Sequence, residues 1–177
     1  MQKEIEIKIQ LKDKENIAKK LKELGGKKGK SYTQITYGFF SNDSIEKGIF
    51  PRIRQEDNSL VLTVKLRKDK KTKYFEREEY SIKIDNLKDA IKILQLFGYD
   101  RIREFTKFRE EWSFKGPVKV NVDKLNFGRF IEIEGPKKEI ERMVDDLGFQ
   151  DRERFAKAYL SLENDFNSKN KIRKNKK

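Results

Sequence analysis

Several short runs of this sequence alternate apolar with charged residues, and this alternation constrains the fold more than any other feature. In the first run, Glu4, Glu6 and Lys8 alternate with isoleucines. Successive side chains of a β-strand point to opposite faces, so the run predicts a strand with one charged face and one apolar face. The same pattern recurs in residues 52–54, 62–67, 107–109, 120–123 and 131–134.

Two folds can produce such strands. In the first, an antiparallel sheet packs its apolar face under helices and exposes its charged face to water, which is a common arrangement. In the second, the sheet closes into a barrel with the charges inside. A water-facing sheet would mix in Thr, Ser and Gln, whereas these faces contain little but Glu, Asp, Arg and Lys. We therefore predict the barrel, with a charged lumen and an apolar outer face.

The periodicity along the chain predicts an α+β fold, an eight-stranded antiparallel β-barrel with helices packed on its outside. Eight is the number of strands at which a sheet closes around a narrow interior. Helices are predicted after Asp13 and Asn86, from Pro136, and over residues 151–166. The predicted strands cover about residues 2–11, 31–41, 50–56, 60–68, 74–84, 101–114, 117–125 and 129–135.

The domain organisation follows from the same pattern. Residues 1–166 are predicted to form one domain, because no linker divides them. Residues 167–177 contain six Lys or Arg residues and no acid, which predicts a disordered basic tail. Most of the thirteen Phe residues, Phe39 and Phe40 among them, are assigned to packing between barrel and helices.

Composition restricts the chemistry and the partners. The chain has no Cys and no His, so a metal must bind oxygen ligands, which favours Mg²⁺ or Mn²⁺. A formal net charge of +13 favours polyanionic partners. No long apolar run or signal-like start is present, which predicts a cytoplasmic protein without membrane contact. Nucleic acid would bind only through the basic tail, and the oligomeric state stays open.

The lumen is predicted to mix carboxylates with cations, and this mixture indicates its ligand. Buried ion pairs roughly break even against apolar packing, so fourteen charges are not expected there for stability alone. Arg and Lys match a triphosphate, and carboxylates tolerate that anion only with divalent cations between them. The predicted lumen residues are Glu4, Glu6, Lys8, Arg52, Arg54, Lys65, Arg67, Arg77, Glu79, Lys107, Arg109, Asp123, Glu132 and Glu134.

The ordered set of these motifs resembles the CYTH superfamily, the triphosphate tunnel metalloenzymes. The E-x-E-x-K run at residues 4–8 matches its signature, followed by Arg52 and Arg54, Lys65, the K-x-R pair at 107–109, Asp123, and a G-x-F-x-E-x-E segment at 128–134. The resemblance covers residues 4 to 134. One departure is in the second strand, where the family's D-x-Y-F-D is replaced by Tyr37-Gly38-Phe39-Phe40-Ser41.

Register and resemblance together imply a role for each residue. Glu4, Glu6, Glu132 and Glu134 would bind the metal, with Asp123 contributing directly or through water. Arg52, Arg54, Lys65, Lys107 and Arg109 would bind the phosphates. Lys8, Lys65 and Arg109 are the catalytic candidates, Lys8 either contacting phosphate or holding the glutamates. Arg67, Arg77 and Glu79 are further candidates. Glu78 is the alternative to Glu79. For both arginines the alternative is a solvated position at the mouth of the barrel. Lys157 and Tyr159 resemble a cation and tyrosine pair near the tunnel of family members.

The resemblance implies a metal-dependent enzyme that acts on a triphosphate. The layout is closest to the class IV adenylate cyclase branch, in which ATP becomes cyclic AMP and pyrophosphate. A triphosphatase acting on tripolyphosphate, thiamine triphosphate or a nucleoside triphosphate is the alternative. A non-catalytic module that binds polyphosphate or RNA ends is a third hypothesis, which the carboxylates of the predicted lumen disfavour.

Overall fold

The first strand is the place where the sheet closes on itself. The computed structural model describes residues 2–67 and 74–174. The strands are β1 (Gln2–Leu11), β2 (Lys27–Phe40), β3 (Ile49–Glu56), β4 (Ser59–Arg67), β5 (Phe75–Ile84), β6 (Arg101–Ser113), β7 (Lys119–Leu125), β8 (Gly128–Glu134) and β9 (Arg154–Phe155). The helices are α1 (Ile17–Glu23), α2 (Asn42–Lys47), α3 (Leu87–Leu96), α4 (Lys137–Asp146) and α5 (Tyr159–Lys174).

Eight strands form a closed antiparallel ring in the order β1-β5-β4-β3-β2-β6-β7-β8. β1 closes the ring because it pairs with β5 over Gln2 to Glu6 and with β8 over Glu6 to Leu11. The predicted eight-stranded barrel with outer helices is therefore confirmed. Within the described residues, no helix is long and apolar enough to span a membrane.

The main core lies between the barrel wall and two helices. Ile7, Ile9, Ile131 and Ile133 alternate with the charged positions and are fully buried on the outer face. They pack with Leu21 and other residues of α1 and with the apolar stripe of α4. The apolar set of the sequence pattern thus faces the helices, which leaves the charged set to line the lumen.

A second packing layer lies under α3. Phe39 and Ile53 of the barrel pack with Leu94 of this helix, and all three are buried. Tyr80 and Ile82 of β5 point outward as the alternation predicts, but both are more than half exposed because α3 covers only part of this wall.

The end of β2 leads into a short helix that the sequence pattern did not predict. Ser41 caps α2, its side chain accepting a hydrogen bond from the backbone N–H of Ser44 at 3.0 Å. Gly48 ends the helix with a φ of 67°, in the left-handed region that favours glycine. Ser41, which replaces an aspartate of the family pattern, therefore serves as a helix cap.

The prediction of one helix over residues 151–166 was wrong at its start. Residues 154–155 form β9, which pairs with Lys8 and Ile9 of β1. β5 reaches only as far as Glu6 along this edge, so the backbone of β1 beyond it is free to bind a short strand. The helix α5 begins at Tyr159 and continues to Lys174, beyond the boundary at residue 166 predicted from the sequence.

Candidate active site

The lumen of the barrel contains a cavity of about 620 Å³. Glu79 and Asp123 lie behind its lining and bind residues that do line it. The side chain of Arg67 lies outside the described residues. The predicted lumen residues that line the cavity are Glu4, Glu6, Lys8, Arg52, Arg54, Lys65, Arg77, Lys107, Arg109, Glu132 and Glu134.

Asp123 is a fully buried acceptor that organises one side of the lumen. Arg109 donates from Nε and Nη2 to its two oxygens, both at 2.7 Å, in a bidentate pair. Lys107 Nζ and the Tyr159 hydroxyl donate to the same carboxylate at 3.0 and 2.8 Å. Burial alone would raise the pKa of Asp123, but Lys107 and Arg109 hold it below its usual value.

The cations held by Asp123 remain directed into the cavity. Burial, together with the neighbouring charge of Arg109, lowers the pKa of Lys107 to about 7. The Nζ atoms of Lys107 and Lys8 lie 5.1 and 5.2 Å from the centre of the Tyr159 ring, so both ammonium groups make cation–π contacts with it. Tyr159, from the start of α5, thus contacts the carboxylate and two lysines together.

A second cluster joins β1 to β8 around Lys8. Its ammonium group binds Glu6 and lies 3.4 Å from Glu132. Glu132 also accepts a hydrogen bond from Arg109 Nη2 at 2.6 Å. Although burial alone would lower the pKa of Lys8, the two glutamates raise it, so Lys8 is cationic.

A third cluster forms around Lys65 on β4. Lys65 Nζ donates to Glu4 at 2.6 Å and also binds Glu79, the residue directly opposite it on β5. Arg52 Nη2 lies 3.7 Å from Glu79. Glu79 rather than Glu78 therefore belongs to the lumen network, as the alternation predicts.

Arg52 and Arg54 line the cavity from β3 with donor groups that are not fully used, although Arg54 Nε lies 3.9 Å from Glu56. The Nε groups of both side chains are buried and have no hydrogen-bond acceptor among the residues that the structure describes. Burial and the neighbouring charge of Arg54 lower the pKa of Arg52 to about 10. Two adjacent guanidinium groups with free donors are suited to bind an anion such as phosphate.

The carboxylates on β1 and β8 have the donor chemistry of a divalent-cation site. Burial raises the pKa of Glu6, and Glu132 raises it further; burial and Glu4 likewise raise the pKa of Glu134. A divalent cation would offset the cost of burying these charged carboxylates and the repulsion between them. Oxygen donors of this kind suit Mg²⁺ and Mn²⁺. Within the described ranges no three acidic groups form a ready-made metal site, and Lys8 and Lys65 bind Glu6 and Glu4. Metal binding would therefore require these ion pairs to open.

Several lining residues were missed by the sequence analysis. Gln34, Thr36, Gly38 and Phe40 of β2 all line the cavity. The assignment of Phe40 to the packing core was wrong, because only Phe39, its neighbour on the opposite face, is in that core. The signal was available, since alternation places Phe40 inside wherever Phe39 is outside. Phe50 and Phe105 line the same cavity.

Barrel closure and lumen charge together define a tunnel-type β-barrel, a closed antiparallel sheet with a charged interior. The family model described as the CYTH domain matches residues 2–166, so the chain belongs to the CYTH family. The resemblance drawn from the ordered motifs is thereby confirmed.

Comparison with individual proteins agrees with this assignment. A protein of Methanocaldococcus jannaschii, named as a candidate adenylate cyclase, is 29% identical over 153 residues, which cover 84% of this chain and 82% of that protein. A structure from Pyrococcus horikoshii has a TM-score of 0.77 at 21% identity, covering 90% of this chain and 98% of that one.

A further structural neighbour is described with an activity of its own. A candidate adenylyl cyclase from Hippeastrum has a TM-score of 0.65 at 18% identity, covering 93% of this chain and 95% of that one. It is described as revealing a dominant triphosphatase activity. At this identity the likeness shows the shared fold.

Proposed function

We propose that this protein is a divalent-metal-dependent enzyme that converts a triphosphate bound in the lumen. The observation that supports the proposal most is the division of the cavity wall. Carboxylates of β1 and β8 lie on one side, and Arg52 and Arg54, with unused buried donors, lie on β3. A binder of anions alone gains nothing from the carboxylates, whereas a triphosphate with its divalent cations needs both sides.

Each group of lumen residues would have its own role in this reaction. Glu4, Glu6, Glu132 and Glu134 would hold the metal, which supplies charge neutralisation to the phosphate oxygens. Arg52, Arg54, Lys65, Lys107 and Arg109 would bind the phosphates and stabilise negative charge on the leaving group. Lys8 would bind phosphate together with these cations, or it would hold the glutamates in position. Asp123 is predicted from the sequence to contribute to the metal site directly or through water, but its four hydrogen bonds to Lys107, Arg109 and Tyr159 favour the role of a positioning residue instead.

The leading reaction is the conversion of ATP to cyclic AMP and pyrophosphate, as the name of the relative from Methanocaldococcus jannaschii indicates for that protein. The 3′ hydroxyl would lose its proton, its oxygen would bond to the α-phosphorus, and the bond from this phosphorus to the bridging oxygen would break, releasing pyrophosphate. Binding of the leaving pyrophosphate by the lumen cations lowers the barrier for this step.

Hydrolysis is the second candidate, favoured by the triphosphatase activity described for the Hippeastrum neighbour. In that reaction a water molecule would attack the terminal phosphorus and lose its protons, the bond from this phosphorus to the bridging oxygen would break, and orthophosphate and the diphosphate part of the substrate would be released. The same cations would serve both reactions, because they bind the phosphate chain and not the nucleophile.

Product analysis tests the proposal and separates the two reactions. The purified protein would be incubated with ATP or tripolyphosphate and Mg²⁺ or Mn²⁺, and cyclic AMP, pyrophosphate and orthophosphate would be separated. Cyclic AMP with equimolar pyrophosphate is the expected result. Orthophosphate from both substrates would identify a triphosphatase. Tight binding without metal and without turnover of either would overturn the enzyme and support a binding module.

A further inference from the structure

The second half of β5 is paired on one side only. Residues 75–79 of this strand pair with β1, and β1 begins with Gln2 opposite Glu79. Residues 80–84 pair with β4, but on their other side no strand of the described residues pairs with them. The backbone N–H and C=O groups that point away from β4 therefore lack a partner strand. We call residues 80–84 the free edge of β5.

The free edge of β5 is also exposed to solvent. Residues 80–83 are all exposed, and they include two large apolar side chains, Tyr80 at 51% and Ile82 at 61% exposure. The outward residues Ile7 and Ile9 of β1, in contrast, are fully buried under helices. An exposed apolar strand with a free edge is a surface on which another strand can pair.

A second free edge of the same barrel is protected against such pairing. Residues 27–33 of β2 pair with β6 but not with β3, whose pairing with β2 begins at Gln34. This segment has three lysines and a shift of pairing register between Lys28 and Ser31, two devices that keep strand edges from pairing with other chains. The free edge of β5 has one lysine, no glycine or proline, and an unbroken register with β4. It lacks this protection, which favours an edge that pairs.

The sequence of the free edge is complementary to a second copy of itself. If two such strands pair antiparallel about Ile82, each Ile82 lies opposite the other, and Tyr80 lies opposite Ile84. Ser81 then lies opposite Lys83, so the one charge of the segment does not face a like charge. A shift of two residues towards the end of β5 would place the two Lys83 side chains opposite each other. The register about Ile82 is therefore favoured.

The position of α3 fits the same arrangement. This helix begins at Leu87, shortly after the free edge, and Leu87 packs in one cluster with Ile84 and Leu60. Directly opposite residues of an antiparallel pair point to the same face of the sheet. Because Ile84 of one copy would lie opposite Tyr80 of the other, the start of each α3 would come next to the Tyr80 that is uncovered in a single chain.

We propose that this protein forms a symmetric dimer in which the free edges of β5 pair antiparallel about Ile82, so that one sheet continues through both barrels. Both copies use the same surface, which is the type of contact that closes at two subunits. The paired segment is short, so the interface lies at the low end of specific contacts and the dimer should dissociate on dilution. The free edge does not line the cavity, so the proposal does not depend on the proposed function.

Charged substitutions at the symmetric position test the pairing. Wild type, Ile82→Lys and Ile82→Glu would be measured by sedimentation equilibrium over a concentration series, with circular dichroism to check folding. We expect a dimer in wild type and roughly tenfold or weaker association in each variant, because like charges face each other. An equimolar mixture of the two variants should form more dimer than either alone. Phe97→Lys is the matched control, because Phe97 is 78% exposed just after α3 and should leave the dimer unchanged.

Single cysteines measure the register directly. The chain has no cysteine, so an introduced cysteine forms a disulfide only with its counterpart in another copy. Ile82→Cys should cross-link on oxidation, because directly opposite residues have Cα atoms about 4.5–5.5 Å apart, within the reach of a disulfide. Ser81→Cys is the matched control, because its counterpart would lie two residues further along, about 8 Å away.

A wild type that stays monomeric at all concentrations would leave the free edge to a strand of another protein and overturn the proposal. A dimer that neither charged variant weakens, or that Phe97→Lys weakens equally, would overturn it as well, since the contact would lie elsewhere. Cross-linking of Ser81→Cys in preference to Ile82→Cys would contradict the register about Ile82. If the charged variants fail to fold, the two cysteine variants are smaller changes and provide the test.

Discussion

Single residues of the lumen differ in whether their charges are balanced by a partner. Asp123 and Glu132 accept bonds from cations, and their pKa values are lowered accordingly. Glu134 lines the same cavity but has no hydrogen bond or salt bridge to any described residue, and its pKa is raised. The balanced carboxylates bind cations of the lumen. Glu134 has no such bond, although the charge of Lys119, opposite it on β7, partly lowers its pKa, and we expect it to bind an added positive charge.

The first prediction concerns Glu134 and the metal. Because its folded-state pKa is raised, its ionisation opposes folding, and stability falls as the pH rises through that pKa. Glu134→Gln removes the charge, so at pH 7 in a chelator we expect an unfolding temperature at or above that of wild type. The stabilisation that Mn²⁺ adds should be smaller in the variant, because one ligand is weakened. Thermal unfolding with and without Mn²⁺ measures both.

The matched control is Glu46→Gln, a change at an exposed residue of α2 that does not line the cavity. It should leave both values unchanged. Destabilisation of Glu134→Gln in chelator, or an undiminished response to Mn²⁺, would contradict the assignment of Glu134 as an unbalanced metal ligand.

The second prediction concerns Asp123. Asp123→Asn removes the anion that Lys107 and Arg109 share, although Arg109 keeps its hydrogen bond to Glu132, and this should cost about 3–5 kcal/mol in the free energy of unfolding. Because the pKa of Asp123 is lowered in the folded state, its stabilisation is present at neutral pH and is lost as the pH falls through the folded pKa. The variant should therefore lose less stability than wild type on acidification. Urea unfolding over a series of pH values measures this.

Asp165→Asn is the matched control for Asp123→Asn. Asp165 pairs with Lys157 at 2.7 Å on the surface, with both side chains about half exposed, and such pairs contribute about 0–1 kcal/mol. Similar losses in the two variants would mean that the Asp123 network does not stabilise the fold.

Among the elements, α5 connects the surface of the barrel to the lumen. Tyr159 reaches Asp123, while Leu162 and Phe166 pack against Phe130 and Phe127 in one cluster. Sequence periodicity did not place the start of this helix, because the preceding segment follows the free edge of β1, a partner distant in the chain. Local patterns cannot reveal which strand edge is left unpaired.

The third prediction separates the two halves of α5. A chain ending at Phe166 keeps Tyr159, Leu162 and Phe166, so we expect its stability to lie within about 1 kcal/mol of wild type, the scale of changes outside the core, and its turnover to persist. A chain ending at Ala158 loses the Tyr159 hydrogen bond and uncovers Phe130, so both properties should decline strongly. Urea unfolding and product assays measure them. Lost turnover in the longer chain would show that residues 167–177 belong to the active unit.

At the scale of the whole molecule, closure of the barrel concentrates charge. A net charge of +13 and a cavity lined by seven of the predicted cations create a field that attracts polyanions from a distance. Barrel walls of low dielectric constant focus this field on the cavity.

The fourth prediction is that triphosphate affinity depends on ionic strength. From 0.01 M to 1 M salt the screening length falls from about 30 Å to about 3 Å, so the attraction to the lumen is largely screened. Calorimetric titration with tripolyphosphate over this range should show a steady loss of affinity. The chain ending at Phe166, which lacks six cations of the C-terminal segment, should show nearly the same dependence. A triphosphate affinity that does not change with salt would contradict electrostatic attraction to the lumen. If only the chain ending at Phe166 showed no salt dependence, the attraction would come from the C-terminal segment.

The sequence alone predicted which charged side chains point into the lumen, because strand alternation is a local property of the backbone. It thereby placed Glu4, Glu6, Lys8 and their counterparts inside, and the lack of His and Cys limited their metal chemistry to oxygen ligands. The tertiary structure alone decided how these charges pair. Asp123 meets Arg109 and Tyr159, and Phe40 meets Phe50, because strand neighbours and the docking of α5 bring them together. Such contacts join residues far apart in the chain, and no local period encodes them.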